Sequence, residues 1–143
     1  MQGLAPLGGV YQAGTFAGGP VVMRAGLATL RLLNNDFYRR LNQKCENFVK
    51  EMNSYFAQNN IAAHFSSYNS MLSLRFRREE VCNYTDAQAA SGGPGQRYAG
   101  VFHHLLQTGI YFPPADLETA FVCGGHTRQD LEKLAKELKN HLK

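Results

Sequence analysis

The sequence predicts an α+β fold in which a small, antiparallel-rich sheet has helices packed on one face. Apolar residues recur at three- and four-residue spacings over residues 38–56 and again over residues 131–142, which is the period of an amphipathic helix. Residues 70–77 instead alternate in character, as a strand with one covered face does. The predicted order is helix, helix, two strands, helix, two strands and helix, which is typical of α+β domains.

The first part of the chain predicts an extended segment followed by a mostly apolar helix. Glycines interrupt residues 1–19, and Pro20 suits the first helical turn because its missing N–H costs nothing there. Residues 21–33 are apolar nearly all round except for Arg24 and Arg31, a pattern typical of a helix that is buried on most sides.

A long amphipathic helix is expected from a break at Asn34 and Asn35 to about Gln58. Asn59 and Asn60 are expected to end it, because asparagine tolerates the left-handed backbone of many helix termini. Its apolar stripe consists of Tyr38, Leu41, Cys45, Phe48, Val49, Met52 and Phe56.

Two strands are expected at residues 61–66 and 70–77, joined by a short turn. The alternation in the second strand places Phe76 on one face and Arg75 and Arg77 on the other, half-exposed face. The sequence therefore predicts a hairpin that is covered on one side only.

Residues 83–90 predict a loop with about one helical turn, and the glycines within residues 91–95 predict a flexible stretch. A helix is expected over residues 96–108 and is stopped by Gly109.

Short strands are expected at residues 110–112 and 120–123, followed by a final helix. Thr127 with Asp130 resembles an N-terminal capping pair in front of that helix, with aspartate in place of the usual glutamate. The residues it is expected to bury are Leu131, Leu134, Ala135, Leu138 and Leu142.

Composition and charge argue against two classes of partner. The formal charge is +4, but apart from Arg39 with Arg40 and residues 75–78 the basic residues are dispersed, and Glu79 and Glu80 offset the second cluster. A mixed, solvated surface is favoured over a nucleic-acid interface. No run approaches the roughly 20 apolar residues of a membrane span.

Cysteine and histidine spacings predict no metal site. Cys45, Cys82 and Cys123 are widely separated and form no C-x-x-C, which favours reduced thiols in a cytosolic setting, with Cys45 and Cys123 serving for packing. The adjacent His103 and His104 would point about 100 degrees apart on a helix and could not chelate one metal together.

The most informative motif is the stretch of residues 8–20, which contains five glycines around Thr15. Such a backbone can bend sharply and approach a ligand closely. No Lys-Ser or Lys-Thr follows the glycines, so this is not a Walker loop. No strand-like run leads into a G-x-G-x-x-G, so it is not a dinucleotide fingerprint. Taken alone, the motif is compatible with a plain loop or with a modest phosphate site.

Four collinear segments carry a family resemblance. They are residues 5–15 with Gly18 and Pro20, residues 69–72, residues 83–87 with the helical residues 98–106, and residues 109–114 with 118–122 and His126-Thr127. Together they resemble glutamate-1-semialdehyde 2,1-aminomutase, a family of class III pyridoxal-phosphate aminotransferases with the aspartate-aminotransferase fold. The resemblance spans almost the whole chain.

The resemblance implies the C-terminal part of a type I pyridoxal-phosphate enzyme. Residues 1–34 would be an interface segment and connecting helix of the cofactor-binding large domain, and residues 35–143 the C-terminal small domain. The family moves an amino group between adjacent carbons of glutamate-1-semialdehyde, and the product, 5-aminolevulinate, feeds tetrapyrrole and porphyrin synthesis. It also implies a cytoplasmic homodimer that binds neither nucleic acid nor membrane.

The resemblance further implies the roles of four residues. Gly14 and Thr15 would bind the phosphate of the pyridoxal 5'-phosphate held by the neighbouring subunit, and Tyr11 would lie close to the same site. Glu118 would lie near the substrate pocket with an auxiliary catalytic role.

The chain departs from the family pattern at several positions. Ala17 and Gly19 stand where the family usually has serine and asparagine, and Ala115 stands where it usually has serine. The glycine-rich residues 91–95 replace an acidic stretch. These departures leave the fold prediction intact, and they keep open another class III aminotransferase that acts on an amino acid or an ω-amine.

Pyridoxal-phosphate chemistry requires a lysine amine that forms a Schiff base. In the family this lysine precedes the segment equivalent to Gly14 and Thr15 by a few tens of residues. The lysines of this chain all lie on the polar sides of helix-like segments: Lys44, Lys50, Lys133, Lys136, Lys139 and Lys143. We therefore expect a C-terminal portion that is not catalytic by itself. The non-enzymatic alternative is an interaction or dimerisation module derived from this domain.

Overall fold

A computed structural model describes residues 2–91 and 96–143, so the predicted flexible glycines at 92–95 lie outside the described residues. The elements in order are α1 (Pro20–Leu32), α2 (Asn35–Gln58), β1 (His64–Tyr68), β2 (Met71–Arg75), α3 (Tyr84–Ser91), α4 (Gln96–Gln107), β3 (Ala120–Phe121) and α5 (Arg128–His141). The chain divides into two compact units, Met1–Phe37 and Tyr38–Lys143. Within the described residues, no helix combines the length and the apolarity that crossing a membrane requires.

In the first unit, the expectation of a largely buried helix was wrong. Pro20 does occupy the first turn of α1, as predicted, but α1 buries none of its own residues. Val21, Met23 and Leu30 are each more than half exposed. An apolar pattern indicates a surface that a helix needs to have covered, and the described residues of the first unit do not cover it.

The core of the second unit is built on α2. Of the predicted stripe, Leu41, Cys45, Phe48, Met52 and Phe56 are buried, as periodicity predicted, whereas Val49 is half-buried and Tyr38 is exposed. Burial, reinforced by the neighbouring Glu46 carboxylate, raises the pKa of the Cys45 thiol, so this cysteine packs as a neutral apolar group. The helix is followed by Asn60, whose φ of 56° is left-handed, as the sequence predicted.

The sheet is antiparallel, with strand order β1-β2-β3. Phe65 pairs with Leu74, and Leu72 pairs with Ala120. Phe65, Leu72 and Leu74 are each at most 2% exposed, and they share one face because side chains alternate along a strand. The predicted fold class is therefore confirmed: a small antiparallel sheet with helices packed on its apolar face.

Phe65 ties the sheet to α2 by two kinds of contact. Its ring meets Phe48 edge-on at 5.3 Å and stacks on Phe56 at 6.1 Å between centroids. Its N–H donates to Asn53 Oδ1 at 2.7 Å, and the Asn53 amide donates to its carbonyl at 2.9 Å. A side-chain amide of α2 thus satisfies both backbone groups of one β1 residue.

Four local predictions were wrong. Residues 84–91 form α3 rather than a loop with a single turn. The Asn83 side chain stabilises the start of α3, because its Oδ1 accepts the Asp86 N–H at 2.9 Å. Residues 110–112 belong to no strand, and β3 comprises only Ala120–Phe121 of the predicted 120–123. Cys123 was expected to pack and is exposed.

The fourth error concerns Arg75, which was expected on an exposed strand face and is 7% exposed. The strand ends at this residue, so the alternation that placed Arg75 and Arg77 on the same open face does not continue. Phe76 instead lies beneath the guanidinium of Arg97, with Cζ 5.4 Å from the ring centroid.

The last two helices, α4 and α5, pack on each other. Leu105 of α4 and Leu138 of α5 are fully buried. Gly109, with a φ of 77°, ends the α4 region in the left-handed conformation that glycine adopts without strain. Thr127 and Asp130 form the predicted capping box, each side chain accepting from the backbone N–H of the other residue.

We expect Thr127→Ala to lower the free energy of unfolding by about 1 kcal/mol, because the substitution leaves an N-terminal N–H of α5 without its acceptor. Thr127→Ser keeps the hydroxyl and should lose much less. Urea denaturation followed by far-ultraviolet circular dichroism measures both. Equal stability of the alanine and serine variants would show that the cap hydroxyl contributes nothing.

Candidate functional site

The glycine-rich segment of the first unit forms an open turn in front of α1. Residues 11–14 have no regular secondary structure, and residues 15–18 form the turn. The Ala17 N–H donates to the Gly14 carbonyl at 2.9 Å, and the Gly19 N–H donates to the Phe16 carbonyl at 3.1 Å. Gly18 has a φ of 76°, which explains why glycine stands there.

The donors at the centre of this segment are available to a ligand. Among residues 2–91 and 96–143, no acceptor meets the N–H groups of Gly14 and Thr15 or the Thr15 hydroxyl. Adjacent backbone N–H groups and a hydroxyl are the donors that bind phosphate oxygens. The described geometry therefore fits a phosphate group at these two residues.

The surroundings of the turn remain open. Tyr11 is 83% exposed, so its phenol ring has most of its surface free for contact with a ligand or a second chain. A Cβ on Gly14 would meet only the Ala17 side chain at 3.7 Å, whereas a Cβ on Gly19 would lie 3.3 Å from the Phe16 carbonyl oxygen. The asparagine of the family pattern at position 19 would therefore need a small backbone shift, and glycine avoids it.

Glu118 lies in a cleft of the second unit, with a volume of about 600 Å³. It follows a tight turn in which its N–H donates to the Ala115 carbonyl at 3.1 Å. The walls are largely apolar and include Tyr111, Phe112 and Phe121. A cleft of this size and character accommodates a small molecule, with Glu118 as one of its few charged groups.

Further polar groups of the cleft come from the start of α5 and the residues just before it. His126 Nδ1 accepts the Cys123 N–H at 2.9 Å, so the neutral imidazole carries its proton on Nε2. Hydrogen bonds from the backbone and side chain of Thr127 hold the pKa of Asp130 below its ordinary value. Lys133 also lines the cleft. Apart from the capping residue Asp130, the cleft therefore contains one carboxylate, that of Glu118, and one ammonium group, that of Lys133.

A buried arginine lies near the acidic loop that carries Glu118, and no local pattern of residues predicted its burial. Arg75 Nη1 donates to the Leu74 carbonyl at 3.2 Å, and its Nε has no partner within the described residues. Burial lowers the pKa of Arg75, while Asp116 opposes that effect. The Tyr98 hydroxyl donates to the Pro113 carbonyl at 2.9 Å, and burial raises the pKa of that phenol.

The lysines occupy α2, α5 and the end of the chain, where they make surface contacts. Lys44 Nζ donates to the His126 carbonyl at 2.5 Å. Lys139 pairs with Glu51 and lies 5.3 Å from the centre of the Tyr55 ring. Lys50 is exposed on α2.

The structure places the predicted site residues Tyr11, Gly14 and Thr15 in the first unit and Glu118 in the second.

The fold is similar to that of solved aminotransferases. A β-phenylalanine aminotransferase from Variovorax paradoxus superimposes with a TM-score of 0.80 at 22% identity, over 93% of this chain and 30% of that protein. A glutamate-1-semialdehyde aminomutase from Pseudomonas aeruginosa PAO1, solved in complex with PMP, superimposes with a TM-score of 0.73 at 20% identity. The match covers 95% of this chain and 31% of that protein. These likenesses show the fold of the chain, which is that of the corresponding part of solved aminotransferases.

Sequence comparison shows which enzymes the chain is similar to. No protein-family model matches the chain. Glutamate-1-semialdehyde 2,1-aminomutase of Thermus thermophilus is 39% identical over 140 residues, which are 96% of this chain and 32% of the relative. The enzyme of the same name from Akkermansia muciniphila is 38% identical over 143 residues, which are 97% of this chain and 32% of the relative.

The resemblance seen in the sequence is thereby confirmed: the chain is similar, over nearly its whole length, to the C-terminal portion of glutamate-1-semialdehyde 2,1-aminomutases. It spans about a third of the length of the curated relatives it matches.

Proposed function

We propose that this chain is the C-terminal portion of a pyridoxal-phosphate-dependent glutamate-1-semialdehyde 2,1-aminomutase, which forms 5-aminolevulinate for tetrapyrrole and porphyrin synthesis. The observation that carries the proposal is 39% identity to an aminomutase over 96% of the chain. The free donors of Gly14 and Thr15 support it, because they are the groups that the cofactor phosphate requires.

In this proposal residues 1–34 are the interface segment and connecting helix of the cofactor-binding domain, and residues 35–143 are the small domain. The exposed apolar residues of α1, such as Met23 and Leu30, would then be covered by the rest of a cytoplasmic homodimer. Gly14 and Thr15 would donate to the phosphate of the cofactor in the neighbouring subunit, and the Tyr11 ring would lie beside it.

The cofactor, when bound, supplies an electron sink for the substrate carbon that carries the amine. The chain's own part is to bind and orient. The Glu118 carboxylate would attract and position the substrate amine, and the aromatic walls of its cleft would exclude water, which strengthens that interaction. No step of proton transfer is assigned to the six lysines, since each lies in a helix or at the chain end. We therefore expect the isolated chain to be inactive.

The experiment that tests this function is a chimera. The first two thirds of the Thermus thermophilus aminomutase are joined to this chain, and formation of 5-aminolevulinate from glutamate-1-semialdehyde is measured. We expect the chimera to be active and the isolated chain to be inactive. A folded chimera that binds the cofactor but does not form 5-aminolevulinate would contradict the proposal.

We expect Thr15→Ala in the chimera to weaken retention of pyridoxal phosphate about ten- to a hundredfold, because a hydrogen bond to a charged group contributes about 1.5–3 kcal/mol. Cofactor absorbance after dialysis is the measurement. Thr15→Ser should restore most of the affinity. Thr29→Ala is the matched control, because the Thr29 hydroxyl donates to Ala25 within α1. Unchanged affinity in Thr15→Ala would remove Thr15 from the site.

A second candidate is another class III aminotransferase, acting on an amino acid or an ω-amine. Ala115, where the family usually has serine, lies in the turn that presents Glu118, and the fold superimposes well on a β-phenylalanine aminotransferase. Transamination of β-phenylalanine by the chimera, without formation of 5-aminolevulinate, would favour this candidate.

A further inference from the structure

A groove lies between α2 and α5. What it binds does not depend on the cofactor segment or on the function proposed for the Glu118 cleft. The volume of the groove is about 650 Å³. One wall carries Arg40 and Lys44, which are one helical turn apart on α2 and so face the same side. The other wall carries Arg128, from the first turn of α5. The fold thus brings the paired arginines noticed in the sequence together with a cation 88 residues further along the chain.

The positive charge of this groove is only partly neutralised by its own carboxylates. Glu132 accepts from Arg128 at 2.6 Å and offsets that one cation, whereas Glu51 accepts at 2.5 Å from Lys139, which does not line the groove. Lys44 uses one N–H on the His126 carbonyl and keeps two for a ligand. The Arg128–Glu132 pair is exposed and therefore contributes little, so Arg128 can turn towards a ligand at small cost.

The remaining lining of the groove indicates more than a simple ion. Phe48 and Leu131 supply an apolar floor. Gln43 and Asn47 supply side-chain amides, and Gln43 Nε2 donates to Asn47 Oδ1 at 3.0 Å. The volume falls in the range of about 300–1,000 Å³ that is typical of small-molecule sites and far exceeds what a phosphate ion alone needs. Two cations one turn apart suit a dianion, and amides above an apolar floor suit a flat, polar-edged ring.

We propose that this groove binds an aromatic phosphate monoester of the nucleoside monophosphate type. Arg40 and Lys44 bind the phosphate, the ring lies over Phe48 and Leu131, and the Gln43–Asn47 amides contact the ring edge. Arg128 closes the groove from α5.

The test is isothermal titration of the purified chain at low ionic strength with adenosine monophosphate, adenosine and inorganic phosphate as separate probes. We expect saturable binding of the monophosphate and much weaker binding of the other two. Arg40→Gln with Lys44→Gln should weaken monophosphate binding about tenfold or more, because two charge-assisted hydrogen bonds are lost. Arg40→Gln alone, at an exposed position, should show part of this loss and guards against misfolding caused by the Lys44 change.

The matched control is Lys50→Gln with Lys143→Gln, which removes the same charge from two exposed positions outside the groove. This control should bind the monophosphate as the unmodified chain does. No saturable binding, an equal loss in the control, or inorganic phosphate bound as tightly as the monophosphate would each overturn the proposal.

Discussion

Replacing Phe65 with alanine is expected to lower the free energy of unfolding of the second unit by about 3–5 kcal/mol. The ring is 1% exposed and contacts two other rings, those of Phe48 and Phe56. Removing it forfeits the transfer of the ring out of water and leaves a cavity between sheet and helix. Because domains are stable by only about 5–15 kcal/mol, this single change removes a large share of the total.

Denaturant titration of the Phe65→Ala chain measures this effect. Tyr68→Ala is the matched control on the same strand, since Tyr68 is 73% exposed and its loss should change stability by only about 0.5 kcal/mol. Phe65→Leu keeps part of the buried surface and provides a folded variant if the alanine variant does not fold. Similar stabilities of Phe65→Ala and Tyr68→Ala would mean that the sheet and α2 do not share a core.

Replacing Arg75 with methionine is expected to raise the free energy of unfolding by about 1–4 kcal/mol. Arg75 is 7% exposed as a residue, and its Nε has no partner among the described residues. Burial lowers the pKa of its guanidinium despite the opposing effect of Asp116, so desolvation of the charge outweighs its favourable contacts. Methionine fills a similar volume without a charge, and its flexible side chain adapts to the space.

Two further variants separate burial from charge. Asp116→Asn should destabilise the chain, because Asp116 favours the charged form of Arg75 and opposes the effect of burial on its pKa. Arg78→Met tests the same chemical change at an exposed arginine, where stability should move by no more than about 0.5 kcal/mol. Destabilisation by Arg75→Met would show that the buried cation is a net contributor to the fold.

The parts of the fold that could be predicted from the sequence depend on the local periodicity of apolar residues and on helix-capping residues. The stripe from Leu41 to Phe56 became the core of α2, and Thr127 with Asp130 became a capping box. The burial of Arg75 could not be predicted, because it depends on where β2 ends and on which loops lie above it. The exposure of α1 is a property of what surrounds the helix, and its own residues do not report it.

The candidate site divides in the same way. Gly14, Thr15 and Glu118 were identified by resemblance, and the structure shows free donors at the first two and an apolar cleft at the third. The contact of Lys44 with His126 joins residues 82 positions apart. No local pattern predicts such a contact, because it arises only when α2 and the start of α5 have been brought together.

The Asn53 amide also affects which backbone groups at the edge of the sheet are open to pairing with another strand. β1 is the outermost strand on its side, and an outer strand exposes backbone groups that can pair with a foreign strand. At Phe65 both groups are already occupied by Asn53, so an incoming strand finds no free ladder position at this residue of β1. The helix thereby blocks strand pairing at one position of its own sheet edge.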